Sequence, residues 1–218
     1  MIEGHQEELR HRVPVAITEK VHSRGDNIVG AMALGTILSL REQLESAHID
    51  IVTQLPTRHS FNERFNRHFW REHKRPHEHA RIGHLVLMIG DLDKLKDVND
   101  NYGHLMGDRY LYVAAQAFQS ALKPQDSVYR IGGDEFAAIM PNFQFVTDDS
   151  AAELNITKER VRLSVHDALA REELPQGLRT GISLGIDMYR PTDLQPVDMV
   201  SRVDGKMYIN KNADNIFV

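Results

Sequence analysis

The sequence predicts an α+β fold, an α/β sandwich in which a mostly antiparallel central sheet is flanked by helices. Three observations predict it. Apolar runs and helical stripes succeed one another in the order β-α-β-β-α-β-α. Leu85-Val86-Leu87-Met88-Ile89 is continuously apolar, as a central strand buried on both faces must be. Gly132-Gly133 separates two β-rich runs, Ser127–Ile131 and Phe136–Met140, and reads as a tight hairpin whose glycines tolerate the positive φ of such turns.

The elements follow in chain order. Residues 1–25 are mixed and charged and are broken by Pro14 and Gly25, which suits a short helix or a loose arm. Asp26 or Asn27 can cap a helix to about Ala47. Its stripe of Ala33, Ile37, Leu40 and Leu44 fits a short coiled-coil seam or a face packed on its own domain. Residues 1–48 are therefore read as an N-terminal helical extension or linker, and 49–218 as the main domain. Pro56 marks a turn, and Thr57 can cap a helix over about 58–73. A basic, His-rich link runs from His73 to His84. Its His77-Glu78-His79 reads as solvated loop rather than metal site, because the histidines straddle Pro76 without helical ligand spacing. The buried strand 85–89 ends at Gly90-Asp91-Leu92-Asp93. Helices are expected over about 106–122, 151–170 and 197–210, a strand over 179–188, and the start of a last strand at 216–218.

Bulk properties narrow the function. The chain has 218 residues, room for one sizeable domain with an appendage. Its net charge of −5 speaks against general nucleic-acid binding. It has no cysteine, so neither disulfides nor thiolate metal sites arise. The N-terminus lacks a secretory pattern, and the uncharged stretch Asn27–Leu40 is too short to span a bilayer. A soluble, cytoplasmic protein without a membrane span is expected.

Two acidic residues, Asp134 and Glu135, follow the paired glycines at once. On this pentapeptide alone, a solvated hairpin tip is the alternative to a site. Backbone stripped of side chains suits close approach of a ligand, and paired carboxylates suit a hard cation. If the strand 85–90 pairs with the hairpin, Asp91 and Asp134 reach one point. Oxygen ligands without His or Cys suit Mg²⁺ or Mn²⁺ held jointly with substrate phosphates, which points to nucleoside triphosphate chemistry. Lys94-Leu95-Lys96 can offer backbone N–H groups and ammonium groups to phosphate. Asn99 can bond a purine edge, and Asp108 can accept from guanine N1–H and N2–H. Helix capping is the alternative for either residue taken singly.

The run Asp91-Leu-Asp-Lys-Leu-Lys-Asp-Val-Asn99-Asp100-Asn-Tyr-Gly103-His104-Leu-Met-Gly107-Asp108, followed by Arg130-Ile-Gly132-Gly133-Asp134-Glu135-Phe136, resembles the GGDEF family of diguanylate cyclases. So do Asp50-Ile-Val-Thr53-Gln-Leu55-Pro56-Thr-Arg58 upstream, and Ser183-Leu-Gly185 and Asp204-Gly-Lys-Met-Tyr208-Ile-Asn-Lys211 downstream. The similarity covers about residues 48–218. It implies a fold similar to the nucleotidyl cyclase and palm domains. It also implies an enzyme that joins two GTP into cyclic di-GMP and releases two pyrophosphates. Two loaded subunits would meet face to face as a homodimer, at least transiently. By the resemblance, Asp91, the Leu92 carbonyl, Asp134 and Glu135 hold Mg²⁺ or Mn²⁺. Glu135 also assists deprotonation of the 3′-hydroxyl, with Asp134 beside it in the catalytic pair. Gly132 and Gly133 admit the nucleotide, and Asn99 and Asp108 read guanine. Leu95, through its backbone, Lys96 and Lys211 contact phosphates.

Four departures from the family pattern stand out. Leu95 replaces a phenylalanine, and Gln54 replaces a glycine. Asn215 replaces an arginine that grips phosphate, a contact worth about 1.5–3 kcal/mol. Lys123-Pro124-Gln125-Asp126 keeps the spacing of the Arg-x-x-Asp product-inhibition site, but Lys123 lacks the planar fork of arginine, so inhibition through Lys123 and Asp126 should be weak or absent. These departures motivate the rival expectation: a catalytically weak or silent GGDEF-like module that binds GTP or cyclic di-GMP and signals through partners.

Overall fold

The computed structural model describes residues 48–74, 83–172 and 181–216, with side chains in the last helix as far as Lys211. The expectations for the N-terminal extension, most of the His-rich link, the Asn215 side chain and residues 217–218 lie outside these residues. The elements are α1 (Arg58–His73), β1 (His84–Leu92), α2 (Leu95–Tyr102), α3 (His104–Ser120), β2 (Ser127–Arg130), β3 (Glu135–Phe143), α4 (Ser150–Ala170), β4 (Ile182–Met188) and α5 (Pro196–Ile216). The strands form one antiparallel sheet in the order β2-β3-β1-β4. The α+β expectation therefore holds.

β1 is central, and the reason is in its sequence. Alternate side chains leave a strand on opposite faces. Val86 and Met88 join one core with Tyr110, Phe118, Val161 and Val165 from α3 and α4. Leu85, Leu87 and Ile89 join the other with Phe61, Phe65 and Phe69 of α1 and Met199 and Val203 of α5. The unbroken apolar run thus supplies both faces. Phe69 has no solvent exposure, and truncating such a ring costs about 3–5 kcal/mol. α5 lies so close to β4 that a Cβ at Gly185 would sit 2.2 Å from the Val203 carbonyl oxygen.

Three local expectations change. The segment after Asp91 is a helix, α2, which begins at Leu95 behind Lys94 in a left-handed conformation, φ 65°. The apolar stripe of α2 is only Leu95 and Val98, too short to show helical periodicity in the sequence. α5 runs on through Ile216, where a strand was expected to begin. Thr57 occupies the N-cap of α1 in extended conformation but makes no side-chain capping bond. Among the described residues, no helix is long and apolar enough to cross a membrane.

Candidate active site

The site is assembled at one end of β1. Pairing places Asp91 opposite Glu135 on β3 and opposite Ser183 on β4. Leu92 N–H donates to the Asp134 carbonyl at 2.8 Å, which ties the hairpin tip to the strand end. The Lys211 ammonium on α5 donates to Asp91 Oδ1 at 2.7 Å. Burial pulls the Lys211 pKa down. The hydrogen bond and charge of Asp91, with the charges of Asp134 and Asp93, more than offset this and hold it above its usual value. Strand pairing, hairpin and α5 thus bring Asp91, Asp134, Glu135 and Lys211 together. Asp93 joins them, anchored by the Ser183 hydroxyl, which donates to its Oδ1 at 2.9 Å.

The glycines act otherwise than expected. Neither Gly132 nor Gly133 adopts a positive φ. Instead a Cβ on Gly132 would lie 2.2 Å from Glu135 Oε2, so any other residue would push that carboxylate from the place it holds. The space beside Gly133 is open. Two arginines hold the hairpin. Arg58 donates from Nε to the Ile131 carbonyl and from Nη2 to Glu135 Oε2, the latter at 3.2 Å. Arg130 donates to the Gly132 and Gly133 carbonyls and pairs with Asp50 at 3.0 Å. Asp50 also accepts from the Thr53 N–H and hydroxyl. Burial would raise the Asp50 pKa, but these Thr53 bonds and the Arg130 guanidinium hold it below the usual carboxylate range. Gln54 next to it is left-handed, φ 61°, which is the physical meaning of a glycine at that position.

The base-reading candidates sit on the α2–α3 corner. Asn99 lies within α2 and Asp108 in the second turn of α3; the N-caps are Lys94 and Gly103, so neither residue caps a helix. A Cβ on Gly107 would fall 1.9 Å from Asn99 Oδ1, which shows how closely the Asn99 amide lies over α3 beside Asp108. Leu95 is buried at the start of α2, and Lys96 beside it is exposed.

Lys123 and Asp126 stand apart on the turn into β2. The Lys123 ammonium lies 5.9 Å from the Phe143 ring centre, and the Lys123 backbone N–H donates to Asp126 Oδ2 at 3.0 Å. Burial raises the Asp126 pKa, against that bond and the charges of Lys123 and Arg160.

Among the described residues, no group of three or more His, Cys, Asp or Glu side chains forms a ready metal cage. Two carboxylates and a backbone carbonyl are nevertheless a fitting donor set for Mg²⁺ or Mn²⁺, which take remaining ligands from water and substrate phosphates. Asp93, Arg58, Arg130 and Gly107 were not singled out from the sequence as site residues. Paired carboxylates at a strand end signalled Asp93; nothing in the local sequence signals the long-range contacts of the others.

Comparison with known proteins bears on the whole assembly. The family described as diguanylate cyclase, GGDEF domain, matches residues 47–215. Diguanylate cyclase DgcP of Pseudomonas aeruginosa is 32% identical over 137 residues, 63% of this chain and 19% of that protein. Diguanylate cyclase DosC of Escherichia coli is 31% identical over 158 residues, 70% of this chain and 32% of that protein. This chain thus spans a third or less of the length of these two relatives. Among solved structures, the coiled coil and GGDEF domain of DgcB from Caulobacter crescentus, in complex with c-di-GMP, superimposes with a TM-score of 0.65 at 23% identity, covering 84% of this chain and 92% of that one. The GGDEF domain of YfiN from Pseudomonas aeruginosa gives 0.59 at 28% identity, covering 74% and 92%.

Proposed function

Because the chain belongs to the GGDEF family of diguanylate cyclase domains, we propose that it condenses two GTP into cyclic di-GMP and two pyrophosphates. The observation that carries this reading is the gathering of Asp91, Asp134, Glu135 and Lys211 at the end of β1 beside a side-chain-free Gly132. Each 3′-oxygen forms a bond to the α-phosphorus of the opposing nucleotide, the bond from that phosphorus to pyrophosphate breaks, and the 3′ proton is lost. The chemistry needs two loaded subunits, so it runs in a homodimer, at least transiently.

Asp91, Asp134 and the Leu92 carbonyl, with Glu135 beside them, would hold Mg²⁺ or Mn²⁺. When bound, the cation neutralises phosphate charge and lowers the cost of forming an alkoxide. Glu135 stands beside the attacking hydroxyl and assists its deprotonation, held by Arg58. Lys211 and Lys96 grip phosphate, with the Leu95 N–H. Asn99 and Asp108 bond the guanine edge. Lys123, spread over Phe143 and without a guanidinium fork, binds cyclic di-GMP poorly with Asp126, so product inhibition is weak. The reaction draws on cytoplasmic GTP.

The test is product identity. Purified chain at high concentration, incubated with GTP and either Mg²⁺ or Mn²⁺, should yield cyclic di-GMP by mass spectrometry. The rate per subunit should climb with protein concentration. Absence of product with both cations would overturn the cyclase reading and leave a nucleotide-binding module.

A further inference from the structure

β4 is an edge strand of the sheet, and beside it lies a cavity of about 380 Å³ between β4, α4 and α5. Its charged lining comes from separate segments: Lys158 on α4, Arg190 just beyond β4, Lys206 on α5 and Asp187 on β4. That is three cations to one anion, in a chain whose net charge is −5.

The pairing shows where the surplus lies. Asp187 Oδ2 is met at 2.9 Å by Arg190 Nη2, by Arg202 Nε and by Lys206 Nζ. Arg202 has a second acid in Asp193. Among the described residues, the side chains of Arg190 and Lys206 pair with no acid but Asp187, although the Arg190 backbone N–H also donates to Asp193 Oδ2 at 2.8 Å. Burial would raise the Asp187 pKa, but the bonds from Lys206 and Arg202 hold it below the usual range, so it stays charged and is already over-supplied with donors. Lys158 adds an ammonium whose side chain is only 18% exposed, with Glu159 at 3.8 Å as its ion partner. A network that only stapled the loop after β4 would account for Arg202. It gives no reason to draw Lys158 in from another helix.

We propose that this cavity is a binding site for a small organic anion, a phosphate or carboxylate carried on an apolar body. Lys158, Arg190 and Lys206 take the anionic group, and Leu154, Ile186 and Met188 supply apolar wall for the body. The volume falls within the roughly 300–1,000 Å³ of small-molecule sites. The cavity is separate from the carboxylate end of β1. Lys206 and Asn210 line it, while Lys211 on the same helix turns to Asp91.

The probe is phenyl phosphate, titrated into the folded chain by calorimetry with and without a non-hydrolysable GTP analogue. Saturable binding that persists beside the analogue is expected. Lys158→Met and Arg190→Gln should each weaken it roughly tenfold without lowering the melting temperature. Phenol and inorganic phosphate should each bind more weakly than phenyl phosphate, because each lacks half of the recognised chemistry. The proposal is overturned if no saturable binding appears by about 10 mM, well into the range of weak ligands. It is also overturned if the analogue displaces the probe, or if both variants keep the parent affinity.

Discussion

Gly107→Ala should weaken GTP binding while leaving the fold as stable as before. Gly107 lies inside α3, where alanine is favoured over glycine by about 0.5–1 kcal/mol. The new Cβ would stand 1.9 Å from Asn99 Oδ1 and 2.8 Å from its Cγ, so the Asn99 amide must swing away. An amide tip can move, at a cost of about 0.5–1.5 kcal/mol if it is left off-rotamer. The two terms nearly cancel, and the melting temperature should stay within about 3 °C of the parent. The displaced amide can no longer bond the purine edge. Losing one such bond costs about 0.5–1.5 kcal/mol, or roughly two- to tenfold in affinity. Calorimetric titration of a GTP analogue, beside thermal unfolding of the same sample, measures both quantities. Asn99→Ala should cause a similar loss, and the double variant should lose no more than either alone. Full affinity in a stable Gly107→Ala protein would show that Asn99 does not read the base.

Asp134→Ala should abolish cyclic di-GMP formation while the chain still unfolds cooperatively; an unchanged rate would remove Asp134 from the metal site. Gln54→Gly should raise stability by up to about 1 kcal/mol in urea unfolding, because it relieves left-handed strain of about 1–2 kcal/mol against a smaller gain in unfolded-chain freedom. His68 carries a buried Nδ1 with no hydrogen-bond partner. Burial, then the charges of Arg71, Arg64 and Arg67, lowers its pKa from 6.5 to about 4. The unfolded chain therefore binds more protons across that window, and stability should fall as pH drops from 6.5 towards 4. With solvent screening the loss is on the order of 1 kcal/mol, and His68→Leu should flatten it in urea midpoints taken across the window. Lys123→Arg, by restoring a planar fork, should strengthen inhibition by added cyclic di-GMP in steady-state assays.

The parts of the fold that were legible are those where one local pattern decides. The run 85–89 had to be a doubly buried strand because no polar side chain interrupts it, and both cores accept its alternate residues. The turn at Pro56 places a helix over about 58–73, and α1 runs from Arg58 to His73. α2 was hidden because it is eight residues long and its apolar face holds only two side chains. The site divided in the same way. Carboxylates at strand ends could be read from position, since register follows from pairing. The holders of the hairpin could not, because Arg58 and Arg130 reach Glu135 and Asp50 across 77 and 80 residues of sequence.

The paired glycines show why a right expectation can rest on the wrong cause. Two glycines between strands suggest a turn that needs positive φ, yet neither has one. If backbone freedom were the reason, an asparagine could serve at either position, since it tolerates the left-handed region. At Gly132 it would instead displace the Glu135 carboxylate, which lies 2.2 Å from where a Cβ would stand. That carboxylate is held there by Arg58, which also grips the Ile131 carbonyl, so turn and acid are fixed by one guanidinium. Gly133 has open space beside it and no such internal reason. Under the proposed function, that open backbone leaves room for a nucleotide to lie on the hairpin.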